Sequence, residues 1–212
     1  MRPFKTFHDR YPLVGPTLWL LSIQYFVVQV IVAHAWAWPF SLRHNTISDL
    51  GNTVCGKYGG RLVCSPEHAL MNVSFMLLGV TMFSGAGLIY HGFRSSRASA
   101  LGFSALALAG LGTVLVGAFP ENTVAALHII GAALPFLVGN VGMIILSQSL
   151  KLSKALRAYT LLSGVVGLIG LALFMTNHYL GLGSGGMERV TAYPQTIWLI
   201  VFGGYMLCDI LL

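Results

Sequence analysis

EHALMNVSFMLLGVTMFSGAGLIYH, residues 67–91, decides what kind of protein this is. After Glu67 the stretch has no Asp, Glu, Lys or Arg. Its length matches the roughly 20 apolar residues that a helix needs to cross a bilayer. Working outward, the same pattern gives spans near 13–36, 67–91, 99–119, 122–148, 157–178 and 193–212. The expected fold is all-α, a six-transmembrane-helix bundle forming a single integral membrane domain over 1–212.

Composition supports that reading. Apolar residues make up 56% of the chain, charged residues 8%, and the mean hydropathy is +0.77. A soluble domain carries about 25% charged residues, so this chain is too poor in charge to solvate a globular surface. The first apolar run is longer than the roughly 7–15 residues of a signal-peptide core, and it is read as retained. The net charge of +6 comes from short scattered clusters. That suits lipid headgroups and topology, and excludes a nucleic-acid partner.

Orientation follows from Lys and Arg in the short loops. Arg2, Lys5, Arg10, Arg94, Arg97, Lys151, Lys154 and Arg157 fall on one side, against Arg43, Lys57, Arg61 and Arg189 on the other. The first side is therefore read as cytoplasmic, with both termini inside and the 37–66 loop outside. Oxidation is favoured there. Cys55 and Cys64 bracket a segment whose Gly59-Gly60 allows a tight reversal. A disulfide is expected, with two free thiols or a metal pair as the alternatives. Cys208, at the cytoplasmic end, is expected to stay reduced.

The chain has only six acidic residues, and four of them, Asp49, Glu67, Glu121 and Glu188, fall toward the outer face. His34, His44, His68, His128 and His178 share the bias. Part of this is ordinary helix-end chemistry. Ser65 suits an N-cap, Pro66 the first helical position and Glu67 the first-turn dipole, and Phe119-Pro120-Glu121 is read as opening the fourth span similarly. Spacing suggests more. His68 and Asn72 share a helix face. Glu121 and His128 are seven apart, which places His128 roughly 10 Å deeper on the same face. A histidine at that depth needs a partner or a wet recess. The structural alternative is a neutral His128 bonded to a neighbouring helix. Asn45–Gly51 is read as a short capped segment ending in a turn, and the glycine-rich stretch 178–189 as a loop bringing Glu188 and Arg189 to the mouth.

The order Ile47-Ser48-Asp49-Leu50-Gly51, Met71-Asn72, Gly117-Ala118-Phe119-Pro120-Glu121 with His128, and Gly186-Met187-Glu188-Arg189 resembles a family of bacterial and archaeal six-span membrane proteins. That family is known as domain of unknown function nine-nine-eight. The resemblance covers nearly the whole chain and implies the same architecture in a cell membrane, with no activity, substrate or cofactor attached. The insert from Cys55 to Cys64 is not part of the pattern.

Three function classes follow from the residues. The first is an enzyme acting on a membrane lipid, isoprenoid or other amphiphile at the outer leaflet. Asp49, His68, Glu121 and His128 would share acid/base work. Ser48, Asn72, Glu188 and Arg189 would hold substrate, with Arg189 suited to an anionic headgroup. Ser48 would be a nucleophile only with a histidine in hydrogen-bond reach. A metal-assisted version would place zinc on His68, His128 and His178, although no HxxxH or HExxH spacing is present. The second class is a binding, sensing or assembly subunit. The third, a transporter, is weakly supported, because the inner half offers little beyond Asn140, Gln148 and Asp209. Trp19, Trp36, Trp38, Tyr193 and Trp198 are read as belt or packing residues.

Overall fold

The computed structural model describes residues 12–93 and 96–211. Arg2, Lys5, Arg10 and Arg94, used in the charge reading above, lie outside them. Among the described residues, six helices are long and apolar enough to cross a membrane. They are α1 (Val14–His34, tightened by a 3-10 turn at Leu21–Ile23), α2 (His68–Tyr90), α3 (Arg97–Ala118), α4 (Ala125–Ser149), α5 (Lys154–Met175) and α6 (Gly183–Leu211). Each carries large apolar side chains on its outer surface, among them Val30, Leu77, Leu108, Ile130, Ile169 and Val201. That outward-facing apolar surface suits a lipid surround.

Close backbone approach ties the bundle together. A Cβ on Gly79 of α2 would stand 2.4 Å from the Gly110 carbonyl of α3. One on Gly112 of α3 would stand 2.5 Å from the Gly131 carbonyl of α4. Small residues at these crossings let helices pack without a hydrophobic driving force between them. Toward the end remote from the 37–66 loop, Trp19 packs against Phe103, Trp198 and Phe202. The Trp19 Nε1–H donates to the Met82 carbonyl at 3.2 Å, and the Trp198 Nε1–H to Thr160 Oγ1 at 2.8 Å. Trp19 and Trp198 are thus packing residues, each with its polar atom satisfied.

Three boundaries depart from the sequence reading, and each matters for the site. First, α4 begins at Ala125, because Glu121–Thr123 form a turn in which the Thr123 N–H donates to the Pro120 carbonyl. Glu121 is therefore a loop residue, and the argument that it shares a helix face with His128 does not hold. Second, Ser65 does not cap α2. Its hydroxyl donates to the Leu50 carbonyl at 2.6 Å, and Glu67 is exposed without a capping bond. Third, α6 begins at Gly183, and Glu188 and Arg189 lie within its opening turns. Gly183 and Gly185 are packing surfaces here. A Cβ on either would stand 2.2 Å from the carbonyl of Arg43 or Asn45, so the 41–46 segment rests directly on the helix start.

Within the 37–66 loop, Ser48–Gly51 form a 3-10 turn, followed by a hairpin of β1 (Cys55–Tyr58) and β2 (Arg61–Cys64). Gly59 and Gly60 turn the hairpin with φ of +53° and +79°, the conformation a two-residue reversal requires. Register pairs Cys55 with Cys64, Cα atoms 4.1 Å apart, and the two are joined as a disulfide. The hairpin places Tyr58 and Arg61 at the site, Tyr58 bonding the Glu121 carbonyl and Arg61 the Asp49 carboxylate.

Candidate functional site

The Ser48–Gly51 turn is the organising element. Thr46 and Asp49 cap one another, the Thr46 N–H donating to Asp49 Oδ2 at 2.9 Å and the Asp49 N–H to Thr46 Oγ1 at 3.1 Å. Leu50 is buried in the core. The Gly51 carbonyl accepts from Asn72 Nδ2 at 2.9 Å, and a Cβ on Gly51 would stand 2.3 Å from Asn72 Oδ1. Asn72 thus fixes the turn to α2 and lies outside the cavity described below.

Held this way, Ser48 meets two residues far away in the chain. Its Oγ lies 3.1 Å from His128 Nε2 on α4 and 3.0 Å from Glu188 Oε1 on α6. The other Glu188 oxygen accepts the Ile47 N–H. His128 Nδ1 lies 2.9 Å from the Phe119 carbonyl. A carbonyl only accepts, so Nδ1 carries the hydrogen, and Nε2 of the neutral ring is free to accept from the Ser48 hydroxyl. The Ser48–Glu188 contact needs a second hydrogen. Either a protonated Glu188 donates to Ser48, or the proton sits on His128 and Ser48 donates to the Glu188 carboxylate. The trio carries the same total charge in both arrangements, so a proton can cross it without creating net charge in a poorly solvated place.

A second cluster lies beside the first. Asp49 is fully buried at 0% exposure, and Arg61 grips it with Nε on Oδ2 at 2.9 Å and Nη2 on Oδ1 at 2.8 Å. Burial pulls the Asp49 carboxyl upward, but the hydrogen bonds and charge of Arg61 outweigh it and hold the group below its ordinary value. Glu121 accepts from Asn52 Nδ2 at 2.8 Å, and its backbone carbonyl accepts the Tyr58 hydroxyl at 2.8 Å. Burial, with the nearby Asp49 charge, pushes the Glu121 carboxyl up to about 8. At neutral pH Glu121 is thus largely an uncharged acid beside an ionised one.

Ser48, Glu121, His128 and Glu188 line one cavity of about 590 Å³, with Arg61 and Tyr58 at its rim. That size is ordinary for a small-molecule site. Its far wall is apolar, built from Ile129, Ala133, Phe136 and Leu137 of α4 and Leu171 and Phe174 of α5. A smaller internal void of about 50 Å³ lies behind Ser48 and Glu188, lined also by Thr113, Gln195 and Thr196.

Other sequence candidates lie elsewhere. Arg189 gives Nη1 to the carbonyls of Leu42, Asn45 and Gly185 and lies over the Phe40 ring, so it organises the loop and does not line the cavity. His68 Nδ1 sits 2.9 Å from the Ser65 carbonyl, and His178 Nδ1 2.9 Å from the Thr176 carbonyl at an exposed helix end. His68, His128 and His178 do not converge. Among the described residues no group of three His, Cys, Asp or Glu side chains is placed to hold a metal ion. Arg61, Asn52 and Tyr58 were not among the sequence candidates. The signal for Arg61 was the Gly59-Gly60 reversal, which returns the strand toward a buried aspartate that needs a cation.

The chain belongs to the family described as Protein of unknown function (DUF998), which matches residues 20–205 and so takes in the whole cluster. No curated protein and no solved structure matches the chain.

Proposed function

We propose that this polytopic membrane protein is a serine-dependent acyl hydrolase acting on an amphiphile at the extracytoplasmic leaflet. The observation that carries the reading is the Ser48–His128 pair: Oγ and Nε2 are 3.1 Å apart, and a third group, the Phe119 carbonyl, orients the ring. Nucleophile, base and orienting group are the three parts that activate a serine.

In this reading Ser48 Oγ attacks the acyl carbonyl carbon of an ester or amide, and its proton passes to His128 Nε2. The tetrahedral oxyanion then collapses, expelling the alcohol or amine, which takes that proton from His128. Water, deprotonated by His128, releases the acid from the acyl-Ser48 ester and restores the hydroxyl. Glu188, bonded to Ser48 and to the Ile47 N–H, positions the nucleophile. Glu121, protonated at neutral pH, supplies a donor toward developing negative charge. Asp49, Asn72 and Arg189 support the surrounding loops. The excess of Lys and Arg in loops on the opposite side supports an outward-facing site.

The test is covalent labelling of the purified protein by a fluorophosphonate, with the adduct mapped by mass spectrometry. Labelling at Ser48 is expected in the wild type and absent from Ser48→Ala and His128→Ala, with acyl release from chromogenic esters following the same pattern. A folded wild type that neither labels nor releases acid overturns the reading. Saturable amphiphile binding under those conditions would mark a binding protein instead.

A further inference from the structure

We infer that the cavity accepts a single-chain amphiphile whose head group carries no negative charge. Placing the reacting carbonyl at Ser48 rests on the hydrolase reading, whereas the charge argument stands on the cavity wall alone.

The wall has no free cation. Its lining residues include no lysine, and Arg61 is the only arginine. Nε and Nη2 of Arg61 are committed to the buried Asp49, at 2.9 and 2.8 Å, so its charge is already matched, and Nη1 is directed at the Gly59 carbonyl at 3.5 Å. The neighbouring Arg189 directs Nη1 at three carbonyls and lies outside the lining. The other ionisable groups at the polar end are Glu121, His128 and the hydroxyls of Tyr58 and Tyr179, with Glu188 behind Ser48. A phosphate or sulfate placed here would lose its water to apolar walls and find no lysine and only the Asp49-bound arginine in the lining to replace it. An uncharged head bearing hydroxyls meets the opposite situation. Thr46, Tyr58, Tyr179 and Ser184 at the rim offer oxygens that can still accept hydrogen bonds.

The apolar end fits one chain. α5 packs along Asn140–Ser149 of α4, but the first half of α4, Ala125–Ala133, stands away from it. The cavity occupies that cleft. Its rim residues Ile129 and Met175 are 65% and 70% exposed, so the cleft faces the surface that lipid would cover. A volume of about 590 Å³ matches one drug-sized ligand rather than two long chains. The ligand class is therefore a monoacyl ester or amide of an uncharged alcohol, its tail entering between α4 and α5.

The experiment uses Ser48→Ala protein in nanodiscs, which cannot turn the ligand over. Saturation binding of radiolabelled monoacylglycerol is competed by equal-chain monoacylglycerol, monoacylglycerol phosphate and monoacyl glycerophosphocholine. The phosphate monoester is expected to compete at least about tenfold more weakly than the neutral lipid, since its charge would leave water for a wall whose one arginine is already paired with Asp49. In Ser48→Ala carrying Asp49→Asn, which releases Arg61, the phosphate should gain affinity several-fold relative to the neutral lipid. Equal or tighter binding of either phosphate-bearing lipid to Ser48→Ala overturns the inference, as does a lack of saturable binding by all three. Selective neutral binding without fluorophosphonate labelling of the wild type would instead overturn the hydrolase reading alone.

Discussion

Ser48 Oγ and His128 Nε2 stand 3.1 Å apart although 80 residues separate them in the chain. The contact depends on two independent anchors, the mutual Thr46–Asp49 cap behind Ser48 and the Phe119 carbonyl behind His128. Removing the base while keeping the cavity should therefore isolate its contribution. His128→Ala is expected to lower acyl release by roughly 10²- to 10⁴-fold, the usual range for a positioned acid or base. Amphiphile affinity should change far less. Turnover and binding measured on the same preparation check this, and parallel loss of both would indicate a collapsed cavity instead.

Glu121 and Asp49 set opposite limbs of a stability profile. The Glu121 carboxyl is raised to about 8, so between the ordinary carboxylate range and about 8 the folded chain holds a proton that the unfolded chain has released. Stability must fall as pH rises through that window. Asp49 is held low, so its contribution is present above the ordinary aspartate value and is lost as pH falls through the folded one. Thermal unfolding in detergent, followed from well below the ordinary aspartate value of 3.8 up to about pH 9, should show an optimum between the limbs. Glu121→Gln should flatten the alkaline limb and leave the acid limb in place.

Breaking the Asp49–Arg61 pair should be costly. Asp49 is fully buried while the Arg61 side chain is 23% exposed, so the aspartate bears most of the desolvation. Losing one partner of a buried pair typically costs about 3–5 kcal/mol. Arg61→Ala strands the Asp49 charge and should destabilise toward that range. The double replacement Asp49→Asn with Arg61→Gln should recover part of the loss. A double-mutant cycle on detergent-unfolding midpoints measures the coupling, and additive losses would count against it.

The bundle was legible in the sequence because bilayer thickness imposes a length on each apolar run, and runs such as 67–91 leave little choice. The disulfide was legible for a similar reason, two cysteines around a glycine reversal. Residues within the site were harder. Ser48, His128 and Glu188 could each be singled out as polar groups near one end, but their contact is a product of tertiary packing with no short spacing to announce it. Glu188-Arg189 illustrates the limit. Adjacent on a helix, the two side chains point in different directions, one toward Ser48 and the other toward the 42–45 carbonyls. The glycines before them read as a loop, whereas from Gly183 they open the last helix and admit a neighbouring backbone.

Gly51 ties the site to α2 through a contact with no spare room. With a Cβ only 2.3 Å from Asn72 Oδ1, Gly51→Ala must push Asn72 away and break its bond to the Gly51 carbonyl. Ser48 sits at the start of the same 3-10 turn, so the displacement should reach the Ser48–His128 contact. Gly51→Ala is expected to lose fluorophosphonate labelling while retaining the helical circular dichroism of the bundle. Asn72→Ala, which makes space but removes the bond, should reduce labelling less. Equal labelling in both variants and the wild type would separate the turn from nucleophile function.

The cysteines give an independent test of orientation. Cys55 and Cys64 are joined across the hairpin, while Cys208 is exposed near the opposite end of the bundle. If the hairpin faces an oxidising compartment, the pair should form in cells without added oxidant. A membrane-impermeant maleimide applied to intact cells should then label neither region, and adding a reductant should reveal Cys55 and Cys64 while Cys208 stays protected. In inverted vesicles Cys208 should label without reduction. The hairpin also carries Tyr58 and Arg61, so Cys55→Ser with Cys64→Ser should destabilise the protein by up to about 3 kcal/mol, given the short loop that the disulfide closes. Loss of acyl release larger than the stability change predicts would show that the hairpin also orders the cavity rim. Labelling of Cys208 from outside intact cells would reverse the proposed orientation and place the cavity at the inner leaflet.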